Sequence, residues 1–410
     1  MSKFELLAPA GDLEKLKVAI LYGANAVFIG GLKLSLRSRA SNFTIDDIKE
    51  ACDFAHKHNA KIHVTCNIVM HNKDTDDILD YLYELENAGV DAIIASSLHI
   101  LRLVKKHTKM EAHVSTQAST ANQEAVALFE ELGLDRVVLA RELSLDDIQK
   151  VKKACNIDIE CFIHGGMCVS YSGRCMLSNN MTNRDANRGG CAHSCRWNYD
   201  LIHLDVPDLI DEYSSECYNK TILNPEKDYF AMSSKDLCAI RAIPKMMDIG
   251  VNSFKIEGRM KSLHYIATVV NAYRRIIDEY EATSKVVDFN SYIDAISKAE
   301  NRLTSTGFLF GLPTINEQLY DLNLTVPTKE FVGIVKGYDK ENKIAYIEQR
   351  NYFLPNSTLE VFSPRGTFNI KIKEIYDMDG NSLDAARHPL QAIKFECDEY
   401  LEPYDLLRLN

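Results

Sequence analysis

Short, continuous runs of apolar and β-branched residues recur eight times between Phe4 and Arg259. Amphipathic stretches typical of helices, such as DDILDYLYELENAG and KDLCAIRAIPKMMDIG (235–250), separate them. Strands that are apolar throughout fit a parallel sheet that is buried on both faces by helices. Eight such units favour a TIM-like (β/α)8 barrel, which we predict over residues 1–285. The predicted strands are FELLAPAG (4–11), AVFIGG (26–31), KIHVTCNI (61–68), DAIIASS (91–97), EAHVST (111–116), RVVLA (136–140), DIECFIHG (158–165) and SFKIEGR (253–259).

A doubly wound open sheet is the alternative α/β architecture, because strand count alone does not prove that a sheet closes. The usual nucleotide-binding fingerprints of the open class, GxGxxG and GxxxxGK[ST], do not occur in the sequence. The motifs HExxH and GxSxG are also absent, which excludes the common zinc-protease and serine-hydrolase mechanisms.

The sequence pattern changes at Glu330. EFVGIVKGY, NKIAYIEQR, STLEVFSP, TFNIKIKEI, QAIKFECDE and YDLLRLN are short strand-like runs that turn residues separate. They predict a small antiparallel β-barrel domain over residues 330–410. A helical linker over residues 286–329, with a helical stretch at Tyr292–Leu303, is predicted to join it to the first domain. Small barrels of this kind bind nucleic acid or serve as structural lids, and both roles stay open.

Charge and hydropathy limit the partners of the chain. The N-terminal sequence MSKFELLAPAGDLEKL resembles neither a signal peptide nor a spanning helix, so we expect a cytoplasmic protein without a membrane partner. The net charge of -11 at pH 7 argues against a uniformly basic surface, so any RNA contact must be a local basic patch.

Five of the eleven cysteines lie within residues 160–199. Cytoplasmic thiols stay reduced, so clustered cysteines there more often bind metal or do chemistry than form disulfides. Four thiolates from one loop could hold an iron–sulfur cluster or a zinc ion, and the wide gaps in this segment favour the cluster. Cys161 lies inside a predicted strand, so we interpret it as a packing residue. The other four are Cys168, Cys175, Cys191 and Cys195, with spacings of x6, x15 and x3.

A catalytic thiol is a further possibility, since His164 and His193 are near these cysteines in sequence and could activate one of them. The segment is also locally basic and contains Trp197, the only tryptophan of the chain. Guanidinium groups bind phosphate or carboxylate, and an indole stacks on a base. Alternatively, the arginines offset the charge of the thiolates and Trp197 shields them from water. The arginines are Arg174, Arg184, Arg188 and Arg196.

Loops that follow the strands of a (β/α)8 barrel build its active site, so polar residues there are candidate substrate ligands. Each could instead be a surface cap or a solvated charge. Together, they predict a rim that holds a polar or charged ligand. The candidates are Arg37, Arg39, Asn67, Ser115, Gln117, Arg141, Glu142, His164, Arg196, Glu257 and Arg259.

The stretch ECFIHGGMCVSYSGRCMLS (160–178) closely resembles the signature of the peptidase U32, or collagenase-like, family. LLAPAGDLEKLKVAILYGANAVFIG, HVSTQASTAN, LARELSLDDI, RDANRGGCAHSCRW, MSSKDLCAI and KIEGRMKS extend the resemblance along the chain. It covers essentially all 410 residues.

The resemblance implies an oxygen-independent tRNA hydroxylation that forms 5-hydroxyuridine at the wobble position, with prephenate as the source of the hydroxyl. It also implies a [4Fe-4S] cluster held by Cys168, Cys175, Cys191 and Cys195, with zinc as the alternative occupant. Cys238 is expected to be a bystander. Expected partners are tRNA, prephenate and a related subunit of the same family. The family name carries a second hypothesis, a collagenase-like peptidase.

Overall fold

The structure is a computed structural model that describes residues 3–36, 42–200, 229–299, 301–314, 317, 324–325 and 328–409. Arg37 and Arg39, two of the predicted substrate ligands, lie outside the described residues. No helix in these ranges is long and apolar enough to cross a membrane.

The eight predicted parallel strands are present and form a closed barrel, which confirms the TIM-like fold. Each strand pairs with its neighbours in chain order, and the last strand pairs with both the first and the seventh. The strands are almost entirely buried, because each continuous apolar run has helices packed outside it. They are β1 (Glu5–Pro9), β2 (Ala26–Ile29), β3 (Lys61–Cys66), β4 (Ala92–Ala95), β5 (Glu111–Val114), β6 (Arg136–Val138), β7 (Asp158–Gly165) and β8 (Ser253–Ile256).

Several helices begin at polar caps. Thr44 and Asp47 form a capping box at the start of the helix Ile45–Lys57, and the hydroxyl of Ser262 accepts a hydrogen bond from the backbone N–H of Tyr265 at the start of the helix Leu263–Thr283. The helices are α1 (Leu13–Leu21), α2 (Ile45–Lys57), α3 (Ile78–Asn87), α4 (Leu98–His107), α5 (Gln123–Glu131), α6 (Leu145–Ala154), α7 (Leu177–Thr182), α8 (Ile243–Ile249), α9 (Leu263–Thr283) and α10 (Phe289–Ser297).

The barrel contains a network of buried charges close to the amino ends of its strands. The carboxylate of Glu160 accepts hydrogen bonds from Lys255 Nζ at 2.7 Å and from Arg136 Nη1 at 3.3 Å. Arg136 also pairs with Glu5 at 2.5 Å. Burial opposes the ionisation of Glu160, but the charges of Lys255 and Arg136 outweigh it and lower the pKa of this carboxyl to about 2. The network therefore consists of compensated ion pairs.

Residues 235–250, predicted as one helix, form a short strand followed by α8. The strand Asp236–Cys238 pairs antiparallel with the end of β7, where Leu237 lies opposite Gly165 and Cys238 opposite His164. β7 has eight residues and extends beyond its neighbours, so its last backbone groups need a partner outside the barrel. The prediction was wrong because this pairing is non-local.

The predicted helical stretch at Tyr292–Leu303 is also shorter than expected, because α10 ends at Ser297. Short strands follow at Asn301–Arg302 and Thr304–Ser305. The carbonyl of Leu303 accepts a hydrogen bond from the backbone N–H of Asp236 at 2.9 Å. The chain after α10 therefore pairs with the strand at the end of β7 instead of continuing a helix.

The C-terminal domain is an antiparallel sheet with its own apolar core. Its strands are β9 (Glu330–Asp339), β10 (Ile344–Gln349), β11 (Thr358–Ser363), β12 (Gly366–Lys371), β13 (Ile375–Asp377), β14 (Ser382–Leu383), β15 (Ala392–Glu396) and β16 (Leu406–Leu409). They are arranged in the order β12-β11-β16-β9-β10-β15-β13-β14. The predicted run TFNIKIKEI divides between β12 and β13.

Buried polar contacts attach this domain to the barrel. The hydroxyl of Tyr22 in the barrel domain donates to the carbonyl of Phe362 at 2.7 Å. Arg408, which is buried, donates to His264 Nε2 at 2.7 Å and to Thr268 Oγ1 at 2.5 Å. In the described part of the chain, these contacts leave the carboxyl ends of the barrel strands uncovered by the C-terminal domain.

Candidate active site at the barrel mouth

The cysteine segment, which we define as residues 166–199, leaves the barrel at Gly165, the last residue of β7. Gly165 has a φ of +109°, in the region that favours glycine. A Cβ at this position would lie 2.6 Å from the carbonyl oxygen of Glu257, just after β8. Glycine therefore permits the close approach of the two strand ends from which the mouth is built.

Two loops hold the cysteine segment over the mouth. Arg188 forms a bidentate ion pair with Asp74, at 2.6 and 2.9 Å, and donates to the carbonyl of Val69 at 2.5 Å. On the other side, the hydroxyl of Ser119 donates to the carbonyl of Ser172 at 2.6 Å. The segment is thus attached to the loops that follow β3 and β5.

The four cysteines of this segment lie near one another at the mouth. Cys168 and Cys191 are exposed, Cys175 and Cys195 are half-buried, and no described cysteine forms a disulfide. Burial raises the pKa of the Cys195 thiol, the charge of Arg196 acts in the opposite direction, and the other three cysteines raise it further. Within the described residues, no three side chains of His, Cys, Asp or Glu are arranged to hold a single metal ion.

Cys161 and Cys238 lie apart from this group. Cys161 is buried within β7, where burial raises the pKa of its thiol. The thiol of Cys238 lies 3.9 Å from the hydroxyl of Tyr273. Burial raises the pKa of this thiol as well, which makes it a poor nucleophile.

Three arginines surround Gly166, the first residue of the cysteine segment. Arg141 stacks over the ring of Phe162 at 4.2 Å and donates to the carbonyl of Gly166. Arg196 and Arg302 each point an Nη2 at the space beside the Gly166 Cα. Sequence reasoning found Arg141 and Arg196 but missed Arg302, which follows α10 without a recognisable motif.

Predicted ligands after β3 and β5 have different surroundings. Ser115 is buried, and its hydroxyl accepts a hydrogen bond from the backbone N–H of Gln117 at 3.1 Å, so it shapes the turn. The backbone and side chain of Gln117 lie against Gly173 of the cysteine segment. The side-chain oxygen of Asn67 is buried without a hydrogen-bond partner among the described residues. Asn67 and Gln117 are therefore closer to a ligand role than Ser115.

His164, Glu257 and Arg259 are integrated into the scaffold. The Nδ1 atom of His164 lies 3.2 Å from the hydroxyl of Tyr273 inside the barrel wall. The backbone N–H of Glu257 donates to the carbonyl of His164 at 2.8 Å. Arg259 is buried and donates to Ser35 Oγ and to the side-chain oxygen of Asn42, each at 3.1 Å. Arg259 therefore ties together two residues that follow β2.

Glu142 is a candidate acid or base at the mouth. Burial raises the pKa of its carboxyl, although the charge of Arg141 acts in the opposite direction. Its Oε2 atom is buried without a hydrogen-bond partner among the described residues. A buried carboxyl whose pKa is raised is a candidate general acid or base.

The outer surface of the cysteine segment presents exposed rings beside a small cavity. Trp197 is 40% exposed and Tyr171 is 51% exposed, which leaves both able to contact a partner. A cavity of about 120 Å³ adjoins Cys168, and Met167, Lys235 and Phe308 are among its lining residues. The mouth therefore combines thiols, cations and accessible aromatic rings.

The sequence matches Peptidase family U32 over residues 11–319 and the Peptidase family U32 C-terminal domain over residues 327–408. The chain belongs to the U32 family. Its relatives include the tRNA hydroxylation protein P1 of Bacillus subtilis, which is 48% identical over 99% of this chain and 94% of the relative.

Two other members carry different names. The 23S rRNA 5-hydroxycytidine C2501 synthase of Escherichia coli is 38% identical over 67% of this chain and 39% of that protein. A Collagenase of Porphyromonas gingivalis is 34% identical over 68% of this chain and 67% of that protein. Family membership alone therefore does not select one activity.

Proposed function

We propose that this U32 protein hydroxylates C5 of the wobble uridine in tRNA, in an oxygen-independent reaction that uses an iron–sulfur cluster and takes the hydroxyl from prephenate. The observation that carries the proposal is the 48% identity, over nearly the full length of both chains, to the tRNA hydroxylation protein P1 of Bacillus subtilis. The name of the Escherichia coli rRNA 5-hydroxycytidine synthase supports RNA hydroxylation as a chemistry of the family.

Cys168, Cys175, Cys191 and Cys195 would hold the cluster, and we propose [4Fe-4S] ahead of zinc. The donor set consists of four sulfurs, and the charge of each of the other thiolates acts on Cys195. The wide gaps of six and fifteen residues between the first three cysteines suit a cluster better than the paired close spacings of a zinc site.

When bound, the cluster would supply one-electron or Lewis-acid chemistry. The residues of the chain would position the reactants around it. Glu142 would move a proton at its Oε2 atom, because its pKa is raised by burial and that oxygen has no hydrogen-bond partner in the described part of the chain. Gln117, which lies against Gly173, would help to position the uridine.

The exposed surface of the cysteine segment would contact the tRNA. Trp197 and Tyr171 present rings on which unpaired bases can stack, and Arg184 adds positive charge in the same segment. The protein as a whole carries a net charge of -11, so this contact would be local. We therefore expect recognition of a single-stranded loop and not of a long RNA helix.

A collagenase-like peptidase is the second candidate, supported by the name of the Porphyromonas gingivalis relative. A thiol peptidase needs an activated cysteine thiolate. Thiolates that are bound to iron cannot attack a peptide bond, so the two candidates use the same four cysteines in incompatible ways. Gelatin cleavage by metal-free protein, abolished by alkylation, would establish the peptidase and contradict our assignment.

The decisive experiment combines cofactor content with nucleoside analysis. Protein purified without oxygen should be brown and contain iron and sulfide in cluster stoichiometry. In a strain that lacks paralogues, Cys168→Ser should abolish both the cluster and 5-hydroxyuridine in tRNA, measured by mass spectrometry. Cys155→Ser is the matched control, because that thiol is buried beside α6 and should leave both unchanged. Colourless protein with one zinc, or 5-hydroxyuridine that persists in the Cys168 variant, would refute the proposal.

A further inference from the structure

Guanidinium groups converge on Gly166 with too few carboxylates to neutralise them. Nη2 of Arg196 and Nη2 of Arg302 lie 2.9 and 3.2 Å from the position that a Cβ on Gly166 would take. Arg141 donates to the carbonyl of the same glycine. The carboxylate of Asp236 pairs with Arg302 and lies 3.8 Å from that Cβ position. Three positive charges thus face one paired negative charge.

Each of the three arginines also has one buried N–H donor that lacks an acceptor among the described residues. Nε of Arg141, Nε of Arg196 and Nη1 of Arg302 have no hydrogen-bond partner within the described ranges. Burial lowers the pKa of Arg302, the carboxylate of Asp236 acts in the opposite direction, and the charge of Arg196 lowers the pKa further. Buried donors without acceptors and like charges in one place both cost free energy. An anion placed beside Gly166 would relieve both costs.

Nearby carboxyl groups do not provide that anion, and the Cys195 thiol, whose charge also acts on Arg302, is assigned to the cluster. Asp236 is already paired with Arg302 and is itself buried, so it offsets one charge. Glu142 follows Arg141 in sequence, but burial raises the pKa of its carboxyl and so disfavours its charged form. The site is also recessed, since the side chain of Arg302 is only 10% exposed. A small molecule reaches such a place more readily than a phosphate of a folded tRNA.

We propose that Arg141, Arg196 and Arg302 bind a carboxylate group of the small-molecule substrate beside Gly166. Arginine provides paired N–H donors whose geometry matches a carboxylate. Arg196 follows Cys195 directly, so a substrate anchored here would lie beside the thiols of the mouth. The identity of the ligand as the hydroxyl donor rests on the proposed function, whereas the carboxylate site itself does not.

Gly166 offers a test that changes no charge. A Cβ there would enter the space between Arg196 and Arg302 and displace their guanidinium ends, which are flexible. The φ angle of Gly166 is not among the left-handed values, so alanine is compatible with the backbone. Gly166→Ala should therefore fill the anion site while the barrel still folds.

The experiment measures prephenate binding by calorimetry, without oxygen and without tRNA, in protein with its iron and sulfide content recorded. Arg196→Gln and Gly166→Ala should each weaken binding about 10- to 100-fold, as expected for loss of charge-assisted hydrogen bonds. Arg102→Gln removes the same charge from an exposed position on α4 and should leave the affinity unchanged. Inorganic phosphate, as a second probe, should bind at least tenfold more weakly than prephenate.

Several results would contradict the proposed carboxylate site. Equal affinity in all variants, an equal loss in Arg102→Gln, or phosphate that binds as tightly as prephenate would each contradict a specific carboxylate site. Loss of iron in Arg196→Gln with unchanged prephenate affinity would show that the arginine compensates the cluster instead. Prephenate binding that depends on Arg196 in a protein that makes no 5-hydroxyuridine would refute the proposed function and leave the site standing.

Discussion

Replacing Lys255 by methionine should destabilise the barrel. The buried carboxylate of Glu160 would then keep only one ion-pair partner, which it shares with another carboxylate. Glu160 is fully buried and Lys255 is 4% exposed, and their charged groups lie 2.7 Å apart. Arg136 is the other partner of Glu160, at 3.3 Å, but it also pairs with Glu5. Methionine would keep most of the volume beside the rings of Phe28 and Phe162 while removing the charge.

The size of the effect follows from the charge network. Burial opposes ionisation of Glu160, yet its pKa is lowered from 4.5 to about 2, with Lys255 as the foremost favourable cause. At about 1.4 kcal/mol per pKa unit, the folded environment favours the carboxylate by roughly 3 kcal/mol. Loss of one partner of a buried ion pair costs about 3–5 kcal/mol. We therefore expect Lys255→Met to lower the free energy of unfolding by about 3 kcal/mol at pH 7.

The penalty should depend on pH in a defined direction. A carboxyl whose folded-state pKa lies below its unfolded value contributes stability above the unfolded pKa, and that contribution is lost as the pH falls through the folded pKa. For Glu160 the window runs from about 4.5 down to about 2. The difference between wild type and Lys255→Met should be constant near neutrality and should shrink below about pH 4.5.

Urea unfolding followed by far-ultraviolet circular dichroism would measure these differences. Lys255→Met, Glu160→Gln and the double variant form a cycle, in which the double variant should be more stable than the sum of the single effects predicts. A loss below about 1 kcal/mol in Lys255→Met, or strict additivity in the cycle, would refute the interpretation of this pair as a coupled buried interaction.

Other contacts give sharper local tests. Gly165→Ala would place a Cβ 2.6 Å from the carbonyl oxygen of Glu257 at a φ of +109°, so it should cost at least about 2 kcal/mol in thermal unfolding; an unchanged melting temperature would contradict this. Arg188→Gln should release the cysteine segment from Asp74 and speed its cleavage by chymotrypsin, whereas Arg174→Gln should not. Tyr22→Phe removes the hydrogen bond to Phe362 and should lower the free energy of unfolding by about 1 kcal/mol in urea; no measurable loss would show that the contact is not stabilising.

The barrel could be predicted because its strands carry a strong local signal. Each of the eight runs is rich in apolar and β-branched residues, and each contains the observed strand, as RVVLA contains Arg136–Val138. The predictions that failed concern segments whose partners are distant in sequence. Asp236–Cys238 is extended because it pairs with the end of β7, and α10 stops at Ser297 because the following residues pair with that strand. Such pairings leave no local periodicity in the sequence from which they could be predicted.

The residues of the candidate site also divide into those that the sequence could predict and those that it could not. Topology predicted which residues follow the strands, and Arg141 and Arg196 do meet at Gly166. Arg302 could not be predicted, because it reaches the mouth from beyond α10 through its pairing with Asp236. Position after a strand was also too broad a criterion. It selected Ser115, whose hydroxyl shapes a turn.

The partners of the terminal guanidinium nitrogens help to distinguish the remaining arginines. Both Nη atoms of Arg259 donate to described residues, Ser35 and Asn42, so this arginine ties together two residues that follow β2. At the barrel mouth, Nε of Arg196 and Nη1 of Arg302 are buried donors that no described residue accepts. A polar group left in this state costs free energy in the folded protein, and such a cost persists at a site where a ligand recovers it. Residues of the mouth that contribute least to the stability of the fold should therefore contribute most to ligand binding. For this reason, Arg196→Gln and Gly166→Ala should lower the affinity for prephenate far more than they lower the free energy of unfolding.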